Sequence, residues 1–542
     1  MKKLSTDVLI IGSGGAGLRA VIEARRRGVN VLLVSKSKLG LANCTATAGG
    51  VFRVSRGKKD IAKHFQETLE AGRFLNNPVM VRTLVTNAWN AVKEMKKLGI
   101  ELLVEKGKVS ITSNRPPAGV SLSNALSKHA SELGVNFSEK TAVFDLLVED
   151  GRCVGALAFQ KDAREIITIS AKSTVLATGG YSRLYVRNDN PPRITGDGLA
   201  LAFEAGAKLQ DLEFVQFQPM FTDDGVPRMP ILDWLTEATK NLVLGGPLIG
   251  KKGERFLDKY GLMENKIFRD NLTVSIEQEL YGEHENSVVF DLTQLSSKEI
   301  IDALNYDYQR RLVLPLCQIL SEKRLHVASF AHYTMGGVKI NEKCETKIQS
   351  LYAVGEVTSG IHGANRVGGN ALTEIMVFGT IAGQQAAEHA KHVKSIALNK
   401  EHIKSSVERL QEFCDKSKTK RVQPFQIKAE VSAVVSRFCK PVRNEKGLKY
   451  ALDELRQIEE KASFMFADNP DQLQEIIEAN SMLLLAKLVV NSALTRKESR
   501  GAHFRVDYPK SDNTNWLRNI VISQENGKTK IRYEHLTRKQ KR

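Results

Sequence analysis

Three features of this 542-residue sequence predict an α/β fold that is interrupted by an inserted α+β domain and followed by a helical one. The first lies at the N-terminus. A short apolar run, Asp7-Val8-Leu9-Ile10-Ile11, leads into Gly12-Ser13-Gly14-Gly15-Ala16-Gly17 and a helical stretch to Arg27; Gly28 ends that stretch and residues 29–34 form the next strand. The second lies in the middle, where HYTMGGV (residues 332–338) is followed by LYAVGEVTSGIHGANRVGGNALTEIMVFG (residues 351–379). The third is a set of charged amphipathic patterns at residues 404–413, 447–462 and 472–490, whose period predicts a C-terminal helical domain.

The N-terminal unit is strand–turn–helix–strand with GxGxxG at the turn. Gly12 allows the tight turn, Gly14 lets backbone approach a pyrophosphate, and Gly17 permits close helix–strand packing, with Gly15 between them. Glycine-rich turns alone are common; the strand before and the helix after give this one its meaning, a Rossmann-like dinucleotide site. The acidic residue expected after the second strand is replaced by Ser35-Lys36, a hydroxyl and an ammonium suited to a ribose or a phosphate. That change argues against a nicotinamide dinucleotide.

In the middle block a buried-looking strand ends at Gly355-Glu356. A polar loop then carries His362, Asn365 and Arg366 into a helix starting near Asn370. Helix N-termini attract anions, and an arginine fork grips carboxylates through two bonds. The block therefore predicts an anionic ligand beside the cofactor.

Between these blocks the pattern runs through a helix at 78–98, a hairpin at 142–158 turning at Glu149-Asp150-Gly151, a strand at 173–177 ending in Thr178-Gly179-Gly180, and Thr195-Gly196-Asp197-Gly198 opening a helix at 199–205. Mixed short elements follow from Phe221, and the nucleotide-binding pattern then resumes. The expected domains are 1–220 with 336–399, an insertion at 221–335, helices at 400–499 and a C-terminal segment at 500–542.

Lysine and arginine number 79 against 61 acidic residues, a formal net charge of +18. The basic residues are scattered, with clusters only at 416–421 and 538–542, so a solvated basic surface is the expectation and a nucleic-acid platform is not. Six cysteines (Cys44, Cys153, Cys317, Cys344, Cys414, Cys439) lie far apart without CxxC, which excludes a cluster or zinc motif and fits a reducing compartment. No metal ligands are assigned. The first strand begins almost at once, which predicts no leader peptide, and the apolar run at 482–490 is short and holds Lys487, which predicts a core helix. A soluble cytoplasmic chain without direct membrane insertion is expected.

The ordered motifs resemble the flavoprotein subunits of fumarate reductase and succinate dehydrogenase, together with the related L-aspartate oxidases. The resemblance spans nearly the whole chain: GSGGAG with Ser35-Lys36, ATGG (177–180), TGDGLALAFEAGA (195–207), DLEFVQFQP (211–219), GERF, FRD, HYTMGG, AVGE, HGANRVGGNAL and RKESRGAHFRVDYP (496–509). It implies an FAD-binding domain with an active site beneath the inserted, capping domain. It also implies hydride exchange between flavin N5 and one carbon of a small dicarboxylate, with a proton moving on the neighbouring carbon.

Carried over residue by residue, the proton shuttle is Arg269, and the carboxylate is bound by His332 and Arg366. Glu356 holds the ribitol or ribose. Asn370, Ala371 and Leu372 turn a helix N-terminus toward the flavin pyrimidine, where negative charge grows on reduction. Gly49, Gly50, Val143, Thr178, Gly179 and Asp197 complete the cofactor set. An iron–sulfur partner protein would exchange electrons with the flavin, and any membrane association of the complex would come through a partner. Each residue also has an ordinary structural reading: Arg269 as the salt-bridge partner of Asp270, His332 as a core histidine, Arg366 as a loop support. Their joint occurrence in family order favours the catalytic one.

The departures from the family are specific. Asn43 stands where the covalent-flavin histidine would be, which predicts dissociable FAD, although Cys44 is adjacent and a cysteinyl link is conceivable. Ala48 replaces a glutamine before Gly49-Gly50. Gln218 replaces a substrate histidine, and it cannot carry positive charge. The Thr-Glu pair that follows it in the family matches Thr236-Glu237 across an insertion. Fumarate and succinate, or a related unsaturated and saturated acid pair, are the expected substrates, with L-aspartate oxidase as the alternative. An RNA-modifying flavoprotein and a catalytically silent scaffold are the readings from other classes. HYTMGG with HGANR opposes the first, and intact Arg269, His332 and Arg366 oppose the second.

Overall fold

The protein is described by a computed structural model over residues 1–542, except 106, 113–116, 224, 231–247, 251–252, 263–268, 283–286, 295, 299, 301–320, 395, 416, 418–419 and 537–542. Thr236, Glu237, Cys317 and the basic tail at 538–542 lie outside the described residues.

The N-terminal strand Lys2–Ile11 lies at the centre of a seven-stranded sheet. It pairs in parallel with Val31–Val34 on one side and with Glu165–Leu176 on the other. Asn136–Ser138 extends the first side in parallel. The twelve-residue strand Glu165–Leu176 changes partner along its length. Its first half pairs antiparallel with Arg152–Gln160, the second arm of the hairpin begun by Thr141–Glu149, and its last residues pair in parallel with Leu351–Ala353. The parallel centre reads as unbroken apolar runs because both its faces are covered: Val8–Ile11 and Val31–Val34 are buried throughout.

One covering layer is the helix Gly15–Arg26 packed against the long helix Asn370–His392. Small residues let them touch. A Cβ on Gly383 would lie 2.3 Å from the Ala20 carbonyl oxygen, and one on Gly379 would lie 2.9 Å from Arg19 Cβ. The helix Pro78–Lys97 begins with Asn77 accepting from the Val79 N–H and with Pro78 in its first turn, where a missing N–H costs nothing.

The inserted domain is built on an antiparallel sheet in the order Val226–Pro230, Val215–Asp223, Arg324–Thr334, Val288–Asp291, Leu248–Ile249. Its first strand starts at Val215, six residues before the change of pattern seen in the sequence, and runs on from the N-terminal domain into the insertion. A second core of Phe221, Phe256, Leu272, Ile276, Phe290 and Val327 holds it together, with the helix Arg269–Glu279 packed on the first strand.

Three helices, Pro424–Phe438, Glu445–Ala462 and Pro470–Thr495, pack pairwise as the helical domain. The last is long and apolar enough to cross a membrane, yet 78% of its most apolar stretch is buried inside the fold. The C-terminal hairpin Arg518–Glu525 and Lys528–His535 returns to the N-terminal domain, joining Leu209–Gln210 and Gly337–Val338 in a four-stranded sheet.

Candidate active site

A cleft of about 1390 Å3 runs from the first glycine turn to the base of the cap. Its inner end is the dinucleotide turn. Gly12 adopts φ +114°, and a Cβ there would sit 2.3 Å from the Ala177 carbonyl oxygen; one on Gly17 would sit 2.0 Å from the Gly12 carbonyl oxygen. These two glycines let the helix, the turn and the neighbouring strand close on one another. Gly14 differs: its Cβ would meet nothing nearer than Asn43 Cβ at 3.9 Å, so this position is open toward the cleft. Gly14 has no side chain with which to cap the helix that begins at Gly15, and of the first N–H groups that of Gly15 is taken by Thr45 Oγ1 at 3.1 Å. Uncapped N–H groups over an open glycine suit a pyrophosphate. Thr178 Oγ1 is buried with no hydrogen-bond partner among the described residues, and Gly179 beside it takes φ +77°.

Ser35 Oγ lies 2.8 Å from Ser13 Oγ at the end of the second strand. Lys36 is already engaged: its ammonium donates to Asp197 (2.5 Å) and Thr195 (2.7 Å) and lies 3.2 Å from Glu478 of the helical domain. Those carboxylates hold its pKa above the usual lysine value despite burial. Lys36 and Asp197 line the cleft as a pair. Gly49, Gly50 and Val143 line it too, and Gly50 takes φ +75° where a Cβ would press on Ala118.

Glu356 sits in a single 3-10 turn on the cleft wall, and its Oε1 accepts from Thr334 N–H (3.0 Å) and Thr334 Oγ1 (3.2 Å). Burial pushes its pKa up to about 7 against those two bonds. Ala371 and Leu372 line the cleft at the start of the helix Asn370–His392, where Gly369 at φ +84° turns the chain. The Asn370 side chain points elsewhere, to His64 and Thr68.

At the cap end Arg269, His332 and Arg366 line the same cleft with Gln218 and Tyr333. Arg269 opens its helix and donates from Nη1 to Gln216 Oε1 at 2.9 Å. The neighbouring Asp270 is taken by Arg73 at 2.6 Å. Gln216, wholly buried, also donates to Asn365 Oδ1 (2.7 Å) and to the Arg366 carbonyl (2.9 Å), joining the cap arginine to the substrate loop.

His332 Nδ1 lies 2.7 Å from Asp189 Oδ2. Burial pushes the imidazole pKa down; Asp189 opposes this, while Arg269 and Arg366 add to it. Arg366 is 6% exposed and stands 4.6 Å above the Tyr333 ring. Its one hydrogen bond is a 3.4 Å contact to the Val367 carbonyl; Nε has no partner and no carboxylate pairs with it among the described residues. Tyr333 OH donates to Glu374 Oε2 (2.8 Å), which also lies 2.7 Å from His362 Nε2. Gln218 is buried beside Met220 on the cleft wall.

Asn43 accepts from the Ala46 N–H and so caps the short helix Cys44–Thr47. The Cys44 thiol donates to Asn190 Oδ1 at 2.8 Å, and burial with nearby Glu356 and Asp189 raises its pKa well above the usual thiol value. His503 is buried against Phe214, away from the cleft lining.

Sequence reasoning passed over Gln216, Tyr333 and Asp189. Gln216 was legible in part: it stands two residues from Gln218 on a strand, where side chains two apart share a face. Asp189 carried no signal, since its partner is 143 residues away.

A model described as an FAD binding domain matches residues 7–372, and one described as fumarate reductase flavoprotein C-term matches residues 428–541. Over 538 residues the chain is 36% identical to an uncharacterized FAD-dependent oxidoreductase of Methanocaldococcus jannaschii, covering 96% of each. It is 32% identical over 547 residues to one of the subunits of the fumarate reductase (CoM/CoB) of Methanothermobacter marburgensis, covering 96% of this chain and 97% of that one. Among solved structures, the FrdA protein of Escherichia coli quinol fumarate reductase superposes with a TM-score of 0.85 at 26% identity, covering 99% of this chain and 97% of that one. With the glycine cradle, the open Gly14 and the orphaned Thr178 hydroxyl fitting FAD, the chain belongs to the fumarate reductase and succinate dehydrogenase flavoprotein family and is an FAD-dependent oxidoreductase of that type.

Proposed function

We propose that the protein interconverts fumarate and succinate, or a closely related unsaturated and saturated acid pair. The observation that carries this reading is Arg366, a buried guanidinium with no carboxylate partner among the described residues, converging with Arg269 and His332 on one cleft. A buried cation without a carboxylate in contact is costly even with Glu356, Glu374 and Asp189 in the vicinity, and a ligand carboxylate would relieve it. FAD, when bound, supplies the hydride acceptor or donor.

The chain's own residues do the rest. Arg366 binds the substrate carboxylate by its fork, its plane held by the Tyr333 ring. Asp189 accepts only, so His332 keeps its Nδ1 proton toward Asp189. Its Nε2 can donate to a carboxylate only when the ring is protonated, so substrate binding takes up a proton. Arg269, aimed by Gln216, delivers the proton to the carbon beside the one that exchanges hydride. An arginine pKa stays above ~12 in water, so this needs the dry interface between the cap and the flavin domain. Gln218 and, outside the described residues, Thr236 and Glu237 complete the substrate shell. On the cofactor side we assign Gly12, Gly14, Gly15, Ser35, Gly49, Gly50, Val143, Thr178, Gly179, Glu356, Ala371 and Leu372 to direct contact, with the Lys36–Asp197 pair on the cleft wall beside them and Gly17 and Asn370 behind.

FAD is held without a covalent bond in this reading. Asn43 is spent as a helix cap, and the Cys44 thiol is kept protonated, where it is a poor nucleophile. The relatives from Methanothermobacter marburgensis and Haemophilus influenzae are each one subunit of a fumarate reductase. Their likeness supports a chain that works in the cytoplasm with an iron–sulfur electron-transfer partner, through which any membrane contact is made.

The test is anaerobic. The protein is purified, its flavin reduced chemically, and fumarate added while the flavin absorbance is followed. Rapid reoxidation that Arg269→Lys abolishes is the expected result. Aspartate reducing the oxidised flavin would move the protein to the L-aspartate oxidases, and reoxidation by neither fumarate nor a related unsaturated acid would overturn the reading.

A further inference from the structure

The helix Asn370–His392 begins at the cofactor wall, yet its first residue points away from the cleft into a closed set of hydrogen bonds. Asn370 Nδ2 donates to Thr68 Oγ1 (3.1 Å), and His64 Nε2 lies 2.8 Å from Asn370 Oδ1. Thr68 Oγ1 donates its own proton to the His64 carbonyl (2.8 Å), so toward Asn370 it can only accept. That fixes the amide: Nδ2 faces Thr68 and Oδ1 faces His64. Oδ1 can only accept, so His64 must carry its proton on Nε2. Ser55, beside Nδ1 at 3.3 Å, has its proton on the Val85 carbonyl at 2.7 Å.

His64, Thr68, Ser55 and Asn370 are all buried. The charges acting on His64 are Arg53 and Glu67, which pair with each other; Arg82 of the adjoining helix lies over Phe65, and Arg56, at the start of His64's own helix, lies over Trp89 of the adjoining one. Burial holds the imidazole neutral, its pKa pushed down to about 4. His64 therefore acts as a fixed dipole near pH 7.

We propose that His64 is a positioning residue for the cofactor: its Nε2–H locks Asn370, and Asn370 locks the first turn of the helix whose next residues, Ala371 and Leu372, face the flavin. Peptide N–H groups at that turn stabilise negative charge only while they stay aimed at it. Loosening Asn370 costs the reduced, more negative cofactor more than the oxidised one. The proposal rests on the FAD assignment and holds whatever the substrate.

The experiment is a spectroscopic redox titration of the FAD-loaded protein at one pH. His64→Leu removes the donor; His64→Gln keeps a nitrogen donor near the Nε2 position without the ring. The expected result is that His64→Leu lowers the flavin potential by a tenfold loss of preference for the reduced form, about 30 mV for a two-electron couple, and that His64→Gln recovers most of it. A His64→Leu protein that binds FAD at unchanged potential overturns the proposal, as does a Gln variant shifted as far as the Leu variant. If His64→Leu fails to fold, Thr68→Val, which removes the other anchor of Asn370, must shift the potential in the same direction; an unchanged potential there overturns it equally.

Discussion

Arg366 shows how far a single side chain can be set by its ligand rather than its fold. In the proposed function its burial without a paired carboxylate, Glu356, Glu374 and Asp189 acting on it only from farther off, costs the chain alone stability and serves a bound anion. Arg366→Met should therefore raise the thermal stability of the ligand-free protein by about 1 kcal/mol. The same change should lower kcat/KM for fumarate by about 10²–10³-fold; calorimetry and steady-state kinetics read the two opposite signs. Arg269→Lys should leave FAD binding intact and lower turnover by about 10³-fold, the range of a lost general acid. His332 adds a pH dependence. Since it must be protonated to donate to a carboxylate, substrate affinity should fall as pH rises, about tenfold per unit between the pKa of the free protein and the higher pKa of the complex, and Asp189→Asn should move the start of that fall to lower pH. Glu356 gives a separate sign. Its folded pKa near 7 lies above its unfolded value, so its contribution to apoprotein stability is full below about pH 4.5 and is lost as pH rises to about 7. Glu356→Gln should flatten that loss, about 3 kcal/mol across the window, in melting curves recorded against pH.

Elements meet at this site through backbone contacts that admit no side chain. The helix Gly15–Arg26 rests on its own preceding turn at Gly17, where an alanine methyl would lie 2.0 Å from a carbonyl oxygen held by the sheet. Neither backbone can yield without shifting helix or strand. Gly17→Ala should cost about 3 kcal/mol by overpacking and release FAD, read by melting temperature and by flavin retained on gel filtration. These contacts explain what the sequence made legible. GxGxxG followed by a helix is a local pattern, and so is a glycine loop running into Asn370, so both flavin-side elements were visible from spacing alone. The long-range partners were not. His64 and Asn370 are 306 residues apart, and nothing local to either marks the bond. Gln216 lay within a motif already in view, but its role needed the cap helix folded over it. Lys36 looked free for a phosphate because Glu478, on a distant helix, could not be seen from the second strand.

At the scale of the whole molecule, the helical domain is fastened by buried charge. Arg496 is wholly buried and bonds Glu213 (2.6 Å), Glu498 (3.0 Å) and the Trp516 and Arg518 carbonyls, tying the end of the last helix to the flavin side and to the C-terminal hairpin. Arg496→Met would strand the buried Glu213 carboxylate, whereas Glu498 keeps Arg500 and the Asp512 N–H, and should destabilise the protein by about 3–5 kcal/mol, measured by chemical denaturation. The RKESRGAHF run was visible as a motif, but its structural purpose was hidden in the sequence, because its partners lie at residues 211–213 and 516–518. The return of the C-terminal hairpin was equally hidden, since it joins the flavin side through strands only two residues long. The cap presents the opposite case, because it is joined by continuous backbone. The strands Val215–Asp223 and Arg324–Thr334 that rise into it carry Gln216, Gln218, His332 and Tyr333 near their lower ends. The cap is thus not a detachable module. A cap transplanted from a relative must be spliced above Met220, where the first sequence boundary of the insertion falls, and above Phe330, inside a paired sheet; a cut at the second sequence boundary, after residue 335, would carry away His332 and Tyr333, which the cap was meant to cover.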